Sequence, residues 1–270
     1  MPRRLRPLAL LWASLAGAAP VLAACEPPAW AWQAGAEHSR WQEHADNGRR
    51  LLTEQGTLTT AETRATLDCS GLQWQATLGL ASGRRGYQGE SNGGQPISTH
   101  SDIRRLHWQA AALWPLSAWG PGWQAGAALG QVRLWRDIAS AGPVLGYPER
   151  FDQWHATALL AHGRLLRPGL GLQARLALGG GTPGRMALWL PTADPARLRL
   201  GSHQVMQLDL ALVGGGAAEA AGWRLGLRWR HQRTAAGPAA TLWRGNLPVG
   251  AAAQPAIRQT DAGLQAGWQW

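Results

Sequence analysis

Apolar and polar side chains alternate residue by residue over long stretches of this chain, the period-two signature of β-strands with two unlike faces. In the last segment Ala262, Leu264, Ala266, Trp268 and Trp270 share one face, and Asp261, Gly263, Gln265, Gly267 and Gln269 the other. The pattern recurs. Leu72, Trp74, Ala76, Leu78 and Leu80 alternate with Gln73, Gln75, Thr77 and Gly79, and Trp223, Leu225, Leu227 and Trp229 alternate with Arg224, Gly226, Arg228 and Arg230. Arginines on an inner face would wreck the dry core of a soluble β-sandwich. A barrel in a bilayer instead turns its apolar face to lipid and its polar face to a wet lumen. The periodicity therefore predicts an all-β protein, a transmembrane antiparallel up-and-down β-barrel of about ten strands. They fall near 29–42, 50–67, 71–86, 101–115, 122–137, 149–165, 169–180, 199–213, 222–234 and 257–270.

The connections alternate in length: 68–71, 116–121, 166–168 and 214–221 are compact, whereas 87–100, 138–148, 181–198 and 235–256 are longer. Outer-membrane barrels have short periplasmic turns and long external loops, so the longer set belongs outside. The first external hairpin, around Asp46, Asn47 and Gly48, is the exception and reads as tight.

Residues 1–24 read as a signal peptide, with Arg3, Arg4 and Arg6 before the apolar stretch Leu8 to Ala19, leaving 25–270 as one outer-membrane β-barrel domain. After that segment no apolar run approaches the ~20 residues of a membrane-spanning helix, so any crossing uses strands. The aromatic side chains are 17 Trp against 2 Tyr and 1 Phe. A lipid-water interface accepts the indole ring and its polar N–H together. Trp30, Trp32, Trp74, Trp114, Trp123, Trp223, Trp268 and Trp270 fall at periplasmic strand ends as a girdle, and Trp41, Trp135 and Trp154 toward the opposite rim. The terminal Trp270 resembles the C-terminal signal that such barrels present to their assembly machinery.

The net charge is +10, carried without a single lysine. On an exported, monomeric barrel this surplus suits phosphate-bearing lipid, such as the lipopolysaccharide of a Gram-negative outer membrane, and export argues against nucleic acid. Glu37, Arg64, His107, His155, Arg175, Asp209, Arg224 and Arg228 should point inward. Buried charges persist when paired, so they are read as a charge network filling the barrel, a plug rather than a pore. No cofactor and no metal site is read. Cys25 and Cys69 share one end of the barrel, and two readings stand: a disulfide formed in the oxidising periplasm, contributing on the order of 3 kcal/mol, or a lipobox, Leu22-Ala23-Ala24-Cys25, with an acylated Cys25.

Three short motifs add a resemblance. Asn47-Gly48-Arg49-Arg50-Leu51-Leu52 follows the tight first hairpin, Gly83-Arg84-Arg85-Gly86 falls at the top of strand three, and Gly146-Tyr147-Pro148-Glu149-Arg150-Phe151 enters strand six. In strand order and in these motifs the chain resembles the omptins, ten-stranded outer-membrane barrels that include surface proteases. Those have a basic-hydrophobic start to strand two, a Gly-Arg-Gly turn at strand three and a Gly-Tyr-x-x-Arg-Phe segment. The resemblance implies lipid binding at Arg150, since the arginine of that segment is associated with a lipid A phosphate, onto which a guanidinium can fork two hydrogen bonds. A solvated rim arginine is the alternative. The other family lipid-contact positions, on strand five, fall near Gly130 and Val132 and do not match.

Omptin proteolysis is attributed to an aspartate pair in the second external loop facing an aspartate and a histidine in the fourth, which activate a water. Here the second loop offers Glu90 and His100, with Asp102 at the start of strand four, and the fourth offers Asp194 without a histidine. Ser39, with Glu37 nearby, stands where the family has an acidic specificity residue. The leading expectation is a barrel without protease activity, serving a structural, adhesive or lipopolysaccharide-interacting role at the surface. The alternative is a divergent endopeptidase or other surface hydrolase using Glu90, His100, Asp102 and Asp194. Lipid A deacylation lacks a serine beyond Ser202, and a narrow channel is the last reading.

Overall fold

The computed structural model describes residues 25–90, 94–215 and 221–270; the expected export signal, 1–24, lies outside the described residues. The chain forms β1 (Ala29–His44), β2 (Arg50–Cys69), β3 (Leu72–Glu90), β4 (Pro96–Pro115), β5 (Trp123–Ile138), β6 (Tyr147–Arg167) and β7 (Leu170–Gly181). Then follow β8 (Arg185–Leu188), β9 (Ala196–Arg199), β10 (His203–Gly214), β11 (Gly222–Thr234), β12 (Ala240–Arg244), β13 (Leu247–Ala252) and β14 (Ala256–Gln269). Each main strand pairs antiparallel with its neighbours, β14 lies between β11 and β1, and the β5–β6 pairing completes a closed ring. β8 continues β7 along β6, and β9 leads into β10, so the barrel has ten staves. β12 and β13 form a separate two-stranded hairpin above the rim.

Closure meets the bilayer's chief demand, that no backbone N–H or C=O stay unpaired in hydrocarbon. At the seam the last residue takes part: the Trp30 and Trp270 amides each donate to the other's carbonyl, at 2.8 and 2.9 Å. At the same end Cys25 and Cys69 are joined by a disulfide.

Side chains sort by parity as the alternation requires. Leu78, Leu80, Leu129, Leu178, Leu212, Leu225, Leu227 and Leu264 lie exposed on the outside, while Gln33, Glu37, Glu62, Arg105, His155, Asp209 and Asp261 are buried inside. Trp30, Trp32, Trp74, Trp114, Trp223, Trp268 and Trp270 stand exposed in the lower girdle, and Trp123 stacks on His162 at 4.3 Å between ring centroids. At the upper border Trp108 meets Trp154 edge-on at 5.3 Å.

Three expectations need correction. Trp41 belongs to no outer girdle: it is 3% exposed and faces inward, its Nε1 donating to Glu43 at 3.0 Å and its ring edge-on to Phe151. It shares the parity of Glu37, Ser39 and Glu43, which places it in the lumen. The Gly-Arg-Gly turn that the resemblance implied is absent, and Gly83–Gly86 is regular β3, inside the expected strand 71–86, with Arg84 outward and Arg85 fully buried. The second external loop, expected over 87–100, is largely strand, because β3 runs to Glu90 and β4 begins at Pro96. The reason is the same for both. A bilayer needs only ~9–11 residues per tilted strand, but β3 and β4 have 19 and 20, and their surplus walls in a second core above the lipid. That core joins Trp41, Leu58, Ile103, Leu134 and Phe151 to Met186, Leu188, Leu198 and Leu200 from the β8–β9 stretch, toward the outer end of the barrel.

Leu264, near mid-span and 69% exposed, tests the lipid-facing assignment. Leu264→Arg should cost about 2–4 kcal/mol in urea unfolding of vesicle-refolded protein. A change within ~0.5 kcal/mol, the size of an ordinary surface substitution, would refute it.

Candidate functional site

Two sets of charged residues occupy the outer end, one inside the wall and one outside. Inside, Arg136 on β5 is 1% exposed and is held by three glutamates: Glu54 at 2.7 Å, Glu149 at 2.7 Å and Glu43 at 3.1 Å. Ser101 also donates to Glu54, and Arg85 donates to Ser39, which in turn donates to Asp261. Lower down, Arg105 pairs with Glu37 at 2.7 Å and Asp261 at 2.9 Å. Arg85 adds a second cation 4.0 Å from Glu54, and two guanidiniums still leave the three glutamates in excess. Glu149, above the hydrocarbon beside outward-facing Arg150, is pushed up to about 7, first by burial and then by the charge of Glu43, against the pull of Arg136. The nearby Tyr87 and Tyr147 hydroxyls are likewise raised, chiefly by burial.

The outside set is built on parity. On β6, Arg150 and Asp152 share the outward face with Trp154, Ala156, Ala158 and Leu160; on β5, Arg133 and Trp135 continue the face of Ala127, Leu129 and Gln131. Register stacks these positions in rows across β4, β5 and β6. Ala110, Leu129 and Ala156 form an apolar row, Trp108, Gln131 and Trp154 an amphipathic one, then Leu106, Arg133 and Asp152, then Arg104, Trp135 and Arg150. The outward face thus turns from apolar to charged over three rows. Asp152 accepts from Nε of Arg133 at 2.5 Å and from Nε of Arg150 at 3.1 Å. Both guanidiniums are anchored through Nε, which leaves their Nη groups for another acceptor. Arg133 also lies over the Trp135 ring, 5.8 Å from its centroid. Beside them runs a shallow outward groove of about 600 Å3, lined by Leu80, Leu106, Trp135 and Trp189 with Arg104 at its edge. Arg40, Arg84, Arg233 and Arg258 extend the belt along the exposed side of β1, β3, β11 and β14.

The sequence pointed to Arg150 and missed Arg133 and Asp152. Counting parity from Leu129 would have found them; attention to Gly130 and Val132 missed because both face inward. The four hydrolytic candidates do not come together. Glu90 pairs with Arg49 at 2.8 Å, and Asp194 accepts from the Gly245 amide at 2.8 Å, fastening the β12–β13 hairpin. Asp102 is outward and paired with Arg84 at 2.9 Å, a hydrogen bond that lowers its carboxyl below the usual range. His100 lies on the same face two residues away. Ser39 and Glu37 are buried in the lumen network. Among the described residues no group of three His, Cys, Asp or Glu side chains is placed to hold a metal.

A closed ring of ten antiparallel staves, apolar outside and ionic inside, with paired aromatic borders, is a β-barrel of the outer-membrane type. Its fold is omptin-like. It superposes on the outer membrane protease OmpT from Escherichia coli with a TM-score of 0.53, covering 90% of this chain and 96% of that one at 10% identity. Weaker likeness reaches an outer membrane channel from Pseudomonas putida F1, with a TM-score of 0.40, 12% identity and coverage of 91% and 96%. The translocator domain of the autotransporter NalP from Neisseria meningitidis follows, with 0.38, 10% identity and coverage of 94% and 93%. By sequence, no family model and no curated protein matches the chain.

Because Glu149 binds its proton more tightly folded than unfolded, stability should fall as pH rises from its ordinary value of 4.5 to about 7. Glu149→Gln should flatten that slope and stabilise the barrel above pH 7, as read by urea midpoints across pH 4 to 8. An unaltered slope would exclude Glu149 as its source.

Proposed function

We propose that the chain resides in the outer membrane of a Gram-negative bacterium as a monomeric surface barrel without protease activity, whose outer rim binds lipopolysaccharide phosphate. The observation that carries this reading is the Arg133–Asp152–Arg150 triplet, two guanidiniums fixed side by side through Nε just above the Trp108–Trp154 border. A phosphate at the lipid-water boundary meets Nη donors there in forked geometry, and the groove floored by Leu80, Leu106 and Trp135 offers apolar contact to the adjoining lipid. The arginine belt supplies long-range attraction to an anionic leaflet.

What supports a non-proteolytic reading is that Glu90, Asp102 and Asp194 each have a separate partner, with only His100 near Asp102 on the same face, and that Ser39 and Glu37 are buried. The C-terminal strand ending in Trp270 is the element that assembly machinery would engage. The decisive experiment measures binding of refolded protein to lipopolysaccharide and to the same lipid stripped of its lipid A phosphates. The unaltered protein should prefer the phosphorylated form, and Arg133→Gln with Arg150→Gln should weaken binding at least tenfold and abolish the preference. Equal binding to both lipids would overturn the lipid reading, and cleavage of dibasic peptides by the purified barrel would restore the surface-hydrolase alternative.

A further inference from the structure

The lumen is electrically uneven along its axis. Carboxylates outnumber arginines around Arg136 in the outer half, whereas the inner half is cationic. A cavity of about 580 Å3 occupies that inner half, bounded by periplasmic strand ends and reached by Arg64, Arg175 and Arg224. Its two buried carboxylates are already claimed, since Arg228 bonds Glu62 at 2.7 Å and Asp209 at 2.6 Å, and Arg64 adds a contact to Glu62 at 3.2 Å. A third carboxylate, Asp68, sits exposed at the mouth and accepts from Gln73.

The other two arginines are left with amides. Arg175 stands opposite Asp209 in register, yet with Asp209 taken by Arg228 its side chain crosses the lumen to Oε1 of Gln75 at 2.9 Å and of Gln109 at 3.5 Å. Arg224 donates to Oε1 of Gln173. Among the described residues neither lies within ion-pair distance of a carboxylate. Two guanidiniums partly withdrawn from water, each with a neutral partner and free N–H groups, carry charge that their surroundings do not balance. A planar guanidinium matches a phosphate or similar oxyanion bidentately.

We propose that this periplasm-facing cavity is a binding site for multivalent phosphate-type oxyanions, held between Arg175 and Arg224. The cavity is lined by the periplasmic strand ends, and the apolar cluster packs at the other end of the lumen, so the ligand comes from the periplasm. Its phosphate belongs to a soluble molecule, because a headgroup would have to draw acyl chains into a lumen lined by glutamine and arginine.

The test uses the refolded full barrel in micelles, with inorganic pyrophosphate as probe and calorimetry as readout. Pyrophosphate should bind at least tenfold more tightly to the unaltered protein than to Arg175→Gln with Arg224→Gln, and equally well to Arg167→Gln, which removes an exposed arginine of the same end that does not line the cavity. In the unaltered protein, pyrophosphate should slow phenylglyoxal modification of Arg175 and Arg224 severalfold without protecting exposed Arg167, a readout that does not depend on variant folding. Equal affinity in the lumen variant, or equal protection by sodium chloride at matched ionic strength, would overturn the site. Protection by phosphatidylglycerol vesicles but not by pyrophosphate would overturn the soluble-ligand assignment.

Discussion

Hydrocarbon cannot hydrogen-bond, and this one deficiency orders the whole molecule. Every amide in the lipid layer needs a partner within the protein, so the sheet closes, and closure divides each strand into a face toward lipid and a face toward the lumen. The seam depends on the ends of the chain, with β14 held between β11 and β1 and Trp270 bonded to Trp30. Once the ring is closed, outward positions accept leucine and tryptophan, and inward positions accept groups that no soluble core of this size would hold unpaired.

The interior then solves a problem the wall creates. A ten-stave cylinder encloses more space than small side chains can fill, and this one fills its middle with ion pairs, between an apolar cluster at the outer end and a cavity at the inner one. Arg105 between Glu37 and Asp261, and Arg228 between its register neighbour Asp209 and Glu62 three strands away, act as struts between strands on different sides of the lumen. Buried charge is costly when one partner is missing, so such struts fix the relative position of strands distant in sequence. Glycine makes the room: a methyl at Gly79 would lie 2.0 Å from the His107 ring, which sits over that backbone beside Glu62.

Much of this was legible in the alternation. Strand number, order and approximate bounds followed from parity, as did the inward direction of Arg64, Arg175, Arg224 and Arg228, because a period of two admits only two directions. What the sequence did not disclose was height along the axis. Nothing local distinguishes strand inside the bilayer from strand above it, so the parts of β3 and β4 between 87 and 100 read as loop. Trp41 was misplaced for a related reason: an indole near a strand end suggests an interface, but its parity with Glu37 and Glu43 assigns it to the lumen. Pairings across the barrel, such as Arg105 with Asp261, 156 residues apart, were beyond any reading of short motifs. The rim triplet was half visible, since Arg150 stood in a motif and Arg133 did not.

The seam also has a consequence for order in time. β1 is partnered on one side by β2 and on the other only by β14, so an emerging chain carries an open edge until its final residues arrive. Open edges recruit other strands and seed aggregation. The Cys25–Cys69 link spans only the first two strands, so it can form while the rest of the chain is still unbarrelled. It would hold β1 and β2 as a ready-made hairpin, a fixed jamb against which the last strand shuts.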